Sequence, residues 1–582
     1  MDAIRRWITT IDNAVAKTVV GHYFRLEGSS HPKARTGARF MTEIRAGITI
    51  FFTMAYIISV NATILTDSGG TCECAETVDR KEDPFCLTDN EYAACLVVLQ
   101  RDLITATAAI SALSSFAMGL LANLPIALAP GMGINAYFTY QVVGFHGTGP
   151  VSYRLAITAV FIEGLIFVAL SIFGLRQWLA RIIPNSIKIA CGAGIGLYLC
   201  FIGLTRSAGI GIINGAQATP VELGGCLAGY RNEFGECTSH KLGNPTVWIG
   251  LLLGTFLTAL LMMYKVKSAM IIGILIVSIL SWPRNTNFTY FPHNDPTNAG
   301  DLRFDFFKKV VTFHDIKTIL AVQEWNIAGA GAGGQFALAL FTFLYVDILD
   351  VTGTLYSMVR FCGVVDPETG DFERQTIAYT TDATMISIGA LFGTSPVTAF
   401  IESGAGIAQG AKTGLAAMTT GLCFFIAIFF APIFASIPPW ATGGALMLVG
   451  CMMMKAVMGI NWNYAGDAIP AFATLIFMPF SYSIAYGLIA GLFAYTFLNG
   501  SAFILKLISG GRIRPADEDL KEYWTYKLPQ NASTPWFIRA MRGEKRFWED
   551  PNKDQIMELN SVASGKGDID RRESGHQSQP SQ

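Results

Sequence analysis

Apolar residues fall in long blocks rather than on alternating faces. From about residue 43 to about residue 507 these blocks recur, separated by polar turns. A helix crossing a bilayer needs about 20 such residues, and half-helices need fewer. The pattern predicts 14 membrane segments: 43–65, 103–121, 126–143, 155–174, 187–205, 246–264, 268–282, 336–359, 376–392, 399–411, 415–436, 441–458, 467–482 and 484–506. The third and tenth are short and broken by Gly and Pro. Residues 301–320 alternate apolar and charged at roughly helical spacing, which predicts an amphipathic helix on the membrane surface. The polar, Ser- and Gly-rich end of the chain reads as disordered.

Composition agrees with lipid as the solvent. Of 582 residues, 52% are apolar and 15% charged, where soluble proteins carry nearer a quarter charged. The net charge of −1 excludes a basic nucleic-acid binder. The segments leave no separate catalytic core. The N-terminal arm (1–42) and the tail (507–582) are rich in Lys and Arg, which places both ends in the cytoplasm and requires an even number of spans. Arg176, Arg181, Lys265, Lys267, Arg360, Lys412 and Lys455 then also fall inside. One outer loop carries Cys72, Cys74 and Cys86, and another Cys226 and Cys237, so both have the means to form disulfides. Asn287-Phe288-Thr289 is an outer glycosylation sequon, whereas those at Asn61 and Asn531 fall in a span and in the tail.

An internal repeat organises the segments. Phe52-Thr53-Met54-Ala55-Tyr56 lies over Phe341-Thr342-Phe343-Leu344-Tyr345, which sets Asn61 over Asp350, Thr63 over Thr352 and Ile58 over Asp347. Gly131-Met132-Gly133-Ile134 mirrors Gly404-Ala405-Gly406-Ile407. Seven segments per copy is an odd number, so the copies insert with opposite orientation, as in secondary transporters. The expected architecture is an all-α polytopic membrane protein with a 7+7 inverted repeat.

A charge at the bilayer centre costs roughly 2.5–3.5 kcal/mol on insertion scales, so carboxylates within the segments mark candidate chemistry. Four stand out: Asp347 and Asp350 on one face of the eighth segment, Asp382 in the ninth and Glu402 in the tenth. Each has a plainer reading, as a polar tie between helices. Asp467, at the cytoplasmic end of the thirteenth, is expected to reach the interface. Glu402 lies in Gly393-Thr394-Ser395-Pro396-Val397-Thr398-Ala399-Phe400-Ile401-Glu402-Ser403-Gly404, which reads as an extended piece entering a half-helix. Its repeat partner, Leu124 to Asn135, reads the same way. Two half-helix tips would then meet near the membrane centre with bare N–H groups, Asn135 at one and Glu402 at the other. A carboxyl accepts two hydrogen bonds, or accepts one and donates one, which suits the edge of a purine. Phe400, Phe343 and Tyr137 are candidates for stacking on the ring, a role that competes with ordinary packing. Gly329 to Gly334 matches G-x-G-x-x-G but follows no strand, and no hydrolase, zinc or Walker motif occurs, so no enzyme activity and no cofactor are expected.

The runs Gly393–Ser395, Glu402–Ile407 and Gly410–Gly414 resemble the signature of the AzgA-like purine transporters, a branch of the nucleobase transporter superfamily. Ala129–Ala136, Phe341–Asp347 and Asp467–Phe472 match it too. The resemblance runs from about 40 to 505. Pro396-Val397-Thr398-Ala399 departs from a run of Thr in many bacterial relatives. The resemblance implies proton symport of adenine, guanine and hypoxanthine at the plasma membrane, with the proton gradient as energy source. It implies an elevator motion of a core (43–174 and 336–436) against a gate (187–282 and 441–506), with an outer loop at 283–335, and a homodimer through the gate. Asn135, Asp347, Asp350 and Glu402 match substrate and coupling positions. Glu402, Asp347, Asn135, Phe400, Phe343 and Ser403 are the expected substrate contacts, and Asp350, Glu402 and Asp347 the proton-coupling groups. The alternatives are an anion exchanger of similar architecture and a purine receptor that does not transport.

Overall fold

The structure, a computed structural model, describes residues 2–521 except 76–82, 84, 87, 174–183, 207, 216–218, 220, 233–235, 267, 294–298, 328–332 and 365–371. Arg176, Arg181, Lys267, Asn531, most of the C-terminal tail and most of the G-x-G-x-x-G run lie outside the described residues.

All fourteen segments have a helical counterpart. Among the described residues, eight helices are long and apolar enough to cross a membrane: Phe40–Thr66, Asn90–Ala122, Tyr153–Ile172, Asn185–Leu204, Pro245–Met263, Gly414–Ala435, Pro439–Gly459 and Ile484–Ile508. Shorter apolar helices cover Ala269–Ser281 and Ala465–Phe480, and Gly333–Cys362 and Gln375–Leu391 form the eighth and ninth spans. The third and tenth segments are broken. Each has a three-residue strand, Leu128–Pro130 and Val397–Ala399, followed by a short helix, Met132–Tyr137 and Ser403–Ile407.

Packing follows the repeat. Span 4 lies against span 9, and span 11 against span 2, which are the same pair in the two copies. Both contacts need a glycine. A Cβ at Gly164 would sit 2.6 Å from the Ser387 nitrogen, and one at Gly421 would sit 2.7 Å from the Ala112 oxygen. Spans 5, 12, 13 and 14 pack as a second group, with span 5 on both 12 and 13 and span 13 on 14.

Two buried carboxylates pin the ends of the bundle. At the face carrying the N-terminal arm, Glu43 accepts from the backbone nitrogens of Lys412 (2.8 Å) and Thr413 (3.2 Å), so it satisfies the first N–H groups of span 11. Arg35 joins this knot by donating to the carbonyls of Asn123 and Lys412. At the opposite face, Asp102 accepts from the nitrogens of Lys317 (2.9 Å) and Thr318 (2.7 Å) and from the Thr318 hydroxyl (2.8 Å), and bonds His314 at 2.7 Å. The expected helix over 301–320 is corrected: only Ala299–Phe307 is helical, and the chain beyond runs irregularly until Asp102 takes the backbone N–H groups of Lys317 and Thr318.

The second span is longer than its apolar run. Asp89 caps it, accepting from the nitrogens of Glu91 (2.8 Å) and Tyr92 (3.2 Å). The helix therefore starts at Asn90, and Cys95 lies on it rather than in the loop. The disulfides are Cys72–Cys95, Cys74–Cys86 and Cys226–Cys237, all at the face that also carries Asp102. This is called the disulfide face below.

Replacing Asp102 by Ala leaves several buried donors unmet. The expected cost is about 2–3 kcal/mol, read as a lower thermal midpoint in detergent, with new protease cleavage between 310 and 327. An unchanged midpoint and cleavage pattern would contradict the role given to Asp102.

Candidate functional site

The two broken spans cross in the middle of the bundle. Their strands pair antiparallel, with Leu128 opposite Ala399, Ala129 opposite Thr398 and Pro130 opposite Val397. Extended backbone inside a membrane must be satisfied within the protein. Here it is. The Gly131 nitrogen donates to the Pro396 oxygen (2.9 Å), and the Phe400 nitrogen to the Ala127 oxygen (3.2 Å). The Ser115 hydroxyl bonds both the nitrogen (3.0 Å) and the oxygen (2.9 Å) of Leu128. Ser403 accepts from the Ala127 nitrogen at 3.0 Å. Its hydroxyl thus ties the two half-spans together.

Glu402 stands directly before the tenth half-helix and is 9% exposed. Tyr56, at the bend of span 1 between Met54 and Ile57, donates its hydroxyl to Glu402 Oε1 at 2.8 Å. The bond joins opposite copies of the repeat. Its counterpart on span 8, Tyr345, has a buried hydroxyl with no hydrogen-bond partner among the described residues.

A second polar tie runs beside it. Asn61 donates to the Thr107 hydroxyl (2.8 Å), accepts from the Ser395 hydroxyl (3.3 Å), and its carbonyl faces the Asn135 amide at 3.4 Å. The Asn135 side-chain oxygen is buried without a partner among the described residues. On span 8, Asp350 accepts from the Thr398 (3.2 Å) and Thr354 (3.4 Å) hydroxyls. Asn61 and Asp350, which the repeat superposes, therefore do matching work. One holds Ser395, two residues before the tenth-span strand, and the other holds Thr398 within it.

The structure brings Glu402, Ser403, Phe400, Asn135 and Asp350 to this crossing. Asp347 is fully buried one turn away on the same helix. Phe343 is also buried, and packs edge-on to Tyr137 (5.5 Å between centroids) and stacked on Phe138 (6.2 Å), so its ring is engaged with the third span.

Several polar groups escape a reading of the sequence. Tyr56, Thr398 and Thr107 are hydroxyls in apolar runs that carry no signal of their own, although the repeat does set Tyr56 over Tyr345. The buried carboxylates of the spans extend beyond the four named from the sequence. Glu163 in the fourth span is fully buried, on a helix packed against the one that carries the fully buried Asp382. Asp467, in the first turn of the thirteenth span, is 1% exposed and accepts from Asn461 at 3.1 Å, so protein covers it at the end of that span. Among the described residues no group of His, Cys, Asp or Glu is arranged to hold a metal ion.

Comparison with known proteins bears on this arrangement. The xanthine/uracil profile of the Permease family matches residues 87–490. A protein from Aspergillus versicolor described as an efflux pump is 58% identical over 556 residues, covering 95% of each chain. The guanine/hypoxanthine permease PbuO of Bacillus subtilis is 33% identical over 78% of this chain and 90% of its own. The adenine permease AdeQ of Escherichia coli is 31% identical over 79% of this chain and 87% of its own. With a fold of paired broken spans and a profile match across most of the membrane region, the chain belongs to the xanthine/uracil permease family of nucleobase transporters and is a polytopic membrane transporter, not an enzyme.

Proposed function

We propose that the chain carries adenine, guanine and hypoxanthine across the plasma membrane together with protons. The observation that supports this reading is the carboxyl of Glu402, buried where the half-spans cross and held through one oxygen by Tyr56. That carboxyl is placed to address the edge of a purine. Asn135, with an unpartnered amide oxygen, orients the base from the third span. Phe400 and Phe343 supply apolar walls, Ser403 holds the crossing rigid, and Asp347 adds polar contact. A proton taken up by Glu402, Asp350 or Asp347 travels with the cargo. A membrane potential of 100 mV supplies about 2.3 kcal/mol per charge, a concentration ratio of roughly fifty.

The packing supports an elevator motion. The crossing belongs to spans 1–4 and 8–11, and spans 5–7 and 12–14 are the support against which that core slides as an elevator. The support is also the surface for a homodimer. Three disulfides on one face suit an oxidising exterior, which leaves both termini in the cytoplasm. An anion exchanger would want a cation where Glu402 stands.

Export is the second reading, favoured by the relative described as an efflux pump. The same site serves either direction, and the gradient decides.

The test is uptake of labelled adenine, guanine and hypoxanthine in cells lacking their own carriers. Accumulation is expected, collapsing toward unity with an uncoupler. Glu402→Gln is expected to weaken uptake about 10-fold to 100-fold, and Tyr56→Phe about 2-fold to 10-fold. Uncoupler-insensitive uptake would remove the proton. Loss of preloaded purine without accumulation would favour export, and unchanged affinity in Glu402→Gln would remove the site assignment.

A further inference from the structure

A cavity of about 360 Å³ lies at the disulfide face, within the roughly 300–1,000 Å³ range of small-molecule sites. Thr63, Asp67, Gln100, Tyr290, Arg303 and Trp440 line it. They come from span 1, span 2, the stretch 289–303 and the start of span 12, so the cavity lies where the two helix groups meet. Glu402, Asp350, Asn135 and Phe400 are not among the lining residues. Thr63 lies two residues beyond Asn61 on the same helix, about 3 Å further toward that face.

The lining holds polar groups that the fold does not use. Thr63 is 6% exposed, and its buried hydroxyl has no partner among the described residues. Gln100 is 7% exposed and also lines the cavity. The buried Arg303 Nε has no acceptor among the described residues, and its guanidinium lies 4.9 Å from the Tyr290 ring centre. The neighbouring cations are otherwise engaged. Arg284 pairs with Asp301, and Arg101 donates to the Leu302 oxygen at 2.6 Å and covers Phe306. Asp67 accepts from the Tyr140 hydroxyl at 2.7 Å. Tyr290 and Trp440 meet edge to face at 5.9 Å, which makes an apolar corner beside the cation.

We propose that this cavity is a second, outer binding site that takes 6-oxopurines (hypoxanthine and guanine) in preference to adenine before cargo reaches the crossing. The inference rests on the purine reading of the chain. The discrimination comes from Arg303. A guanidinium has five donors in a fixed fork and no acceptor. The O6/N7 edge of a 6-oxopurine offers two acceptors side by side, which a guanidinium meets with two bonds. Adenine places an amino group at the same edge, a donor facing a donor. Thr63, Gln100 and Asp67 supply acceptors for ring N–H groups and for the 2-amino group of guanine, and Tyr290 and Trp440 receive the ring.

The test compares the unaltered chain with Arg303→Gln and Arg303→Lys in cells lacking purine carriers, with surface amounts measured by a tag. Labelled hypoxanthine and adenine uptake give KM and maximal rate. Arg303→Gln, whose amide suits the adenine edge, is expected to raise the hypoxanthine KM about tenfold, to change the adenine KM less than about twofold, and to leave both maximal rates near their starting values. Arg303→Lys keeps the charge and loses the fork, so it is expected to move hypoxanthine in the same direction. It also serves if the Gln variant fails to reach the surface. Equal change for both purines, or none, would overturn the outer site while leaving the purine reading intact. Absence of any purine movement by the unaltered chain would remove both, before a variant is made.

Discussion

The constraint on which the rest depends is that backbone which is not helical must find its hydrogen bonds inside the protein when it lies at membrane depth. Spans 3 and 10 break the helix, and the chain resolves this by pairing one break with the other. Neither strand can satisfy its edge alone. The two repeat copies are therefore bound to each other at the centre of the bundle. Serine hydroxyls from Ser115 and Ser403 close what the three-residue ladder leaves open. Because each strand leads straight into a short helix, the same device delivers helix N-termini to the same spot. Every group that bears on the function is fixed relative to this crossing.

Once the crossing exists, the repeat distributes roles unequally. Span 1 supplies Asn61 and Tyr56, and span 8 supplies Asp350, Asp347 and Tyr345. The amide and the carboxylate at superposed positions hold successive parts of the tenth span, through Ser395 and Thr398. Tyr56 reaches across to Glu402, whereas the Tyr345 hydroxyl has no partner among the described residues. The fold is thus close to two-fold in its packing and asymmetric in its polar groups. The ends are pinned by Glu43 on one face and Asp102 on the other, each taking backbone N–H groups from a distant segment.

Much of this was legible in residue order. Apolar block length gave the spans, and Gly with Pro gave the breaks in the third and tenth. An acid at a half-helix tip marked Glu402, and clustered cysteines marked two of the loops. What escaped depends on contacts between residues far apart in the chain. Tyr56 and Glu402 are 346 positions apart, and nothing local aims one at the other. The loop end at 317–318 is held by Asp102, more than 200 positions earlier, where the helical pattern of the loop gives no hint of that contact. Cys95 was hidden because a cap at Asp89 extends a helix through polar residues that read as loop. Glu163 is different, since its place inside the apolar run of the fourth span is evident from the sequence.

The most direct measurement of the central claim is a structure of the purified protein with hypoxanthine bound. The account predicts base density between the half-helix tips, with a ring edge about 3 Å from the Glu402 carboxyl and Asn135 on the opposite side. Purine density that nowhere touches the crossing, with Glu402 still held only by Tyr56, would contradict it.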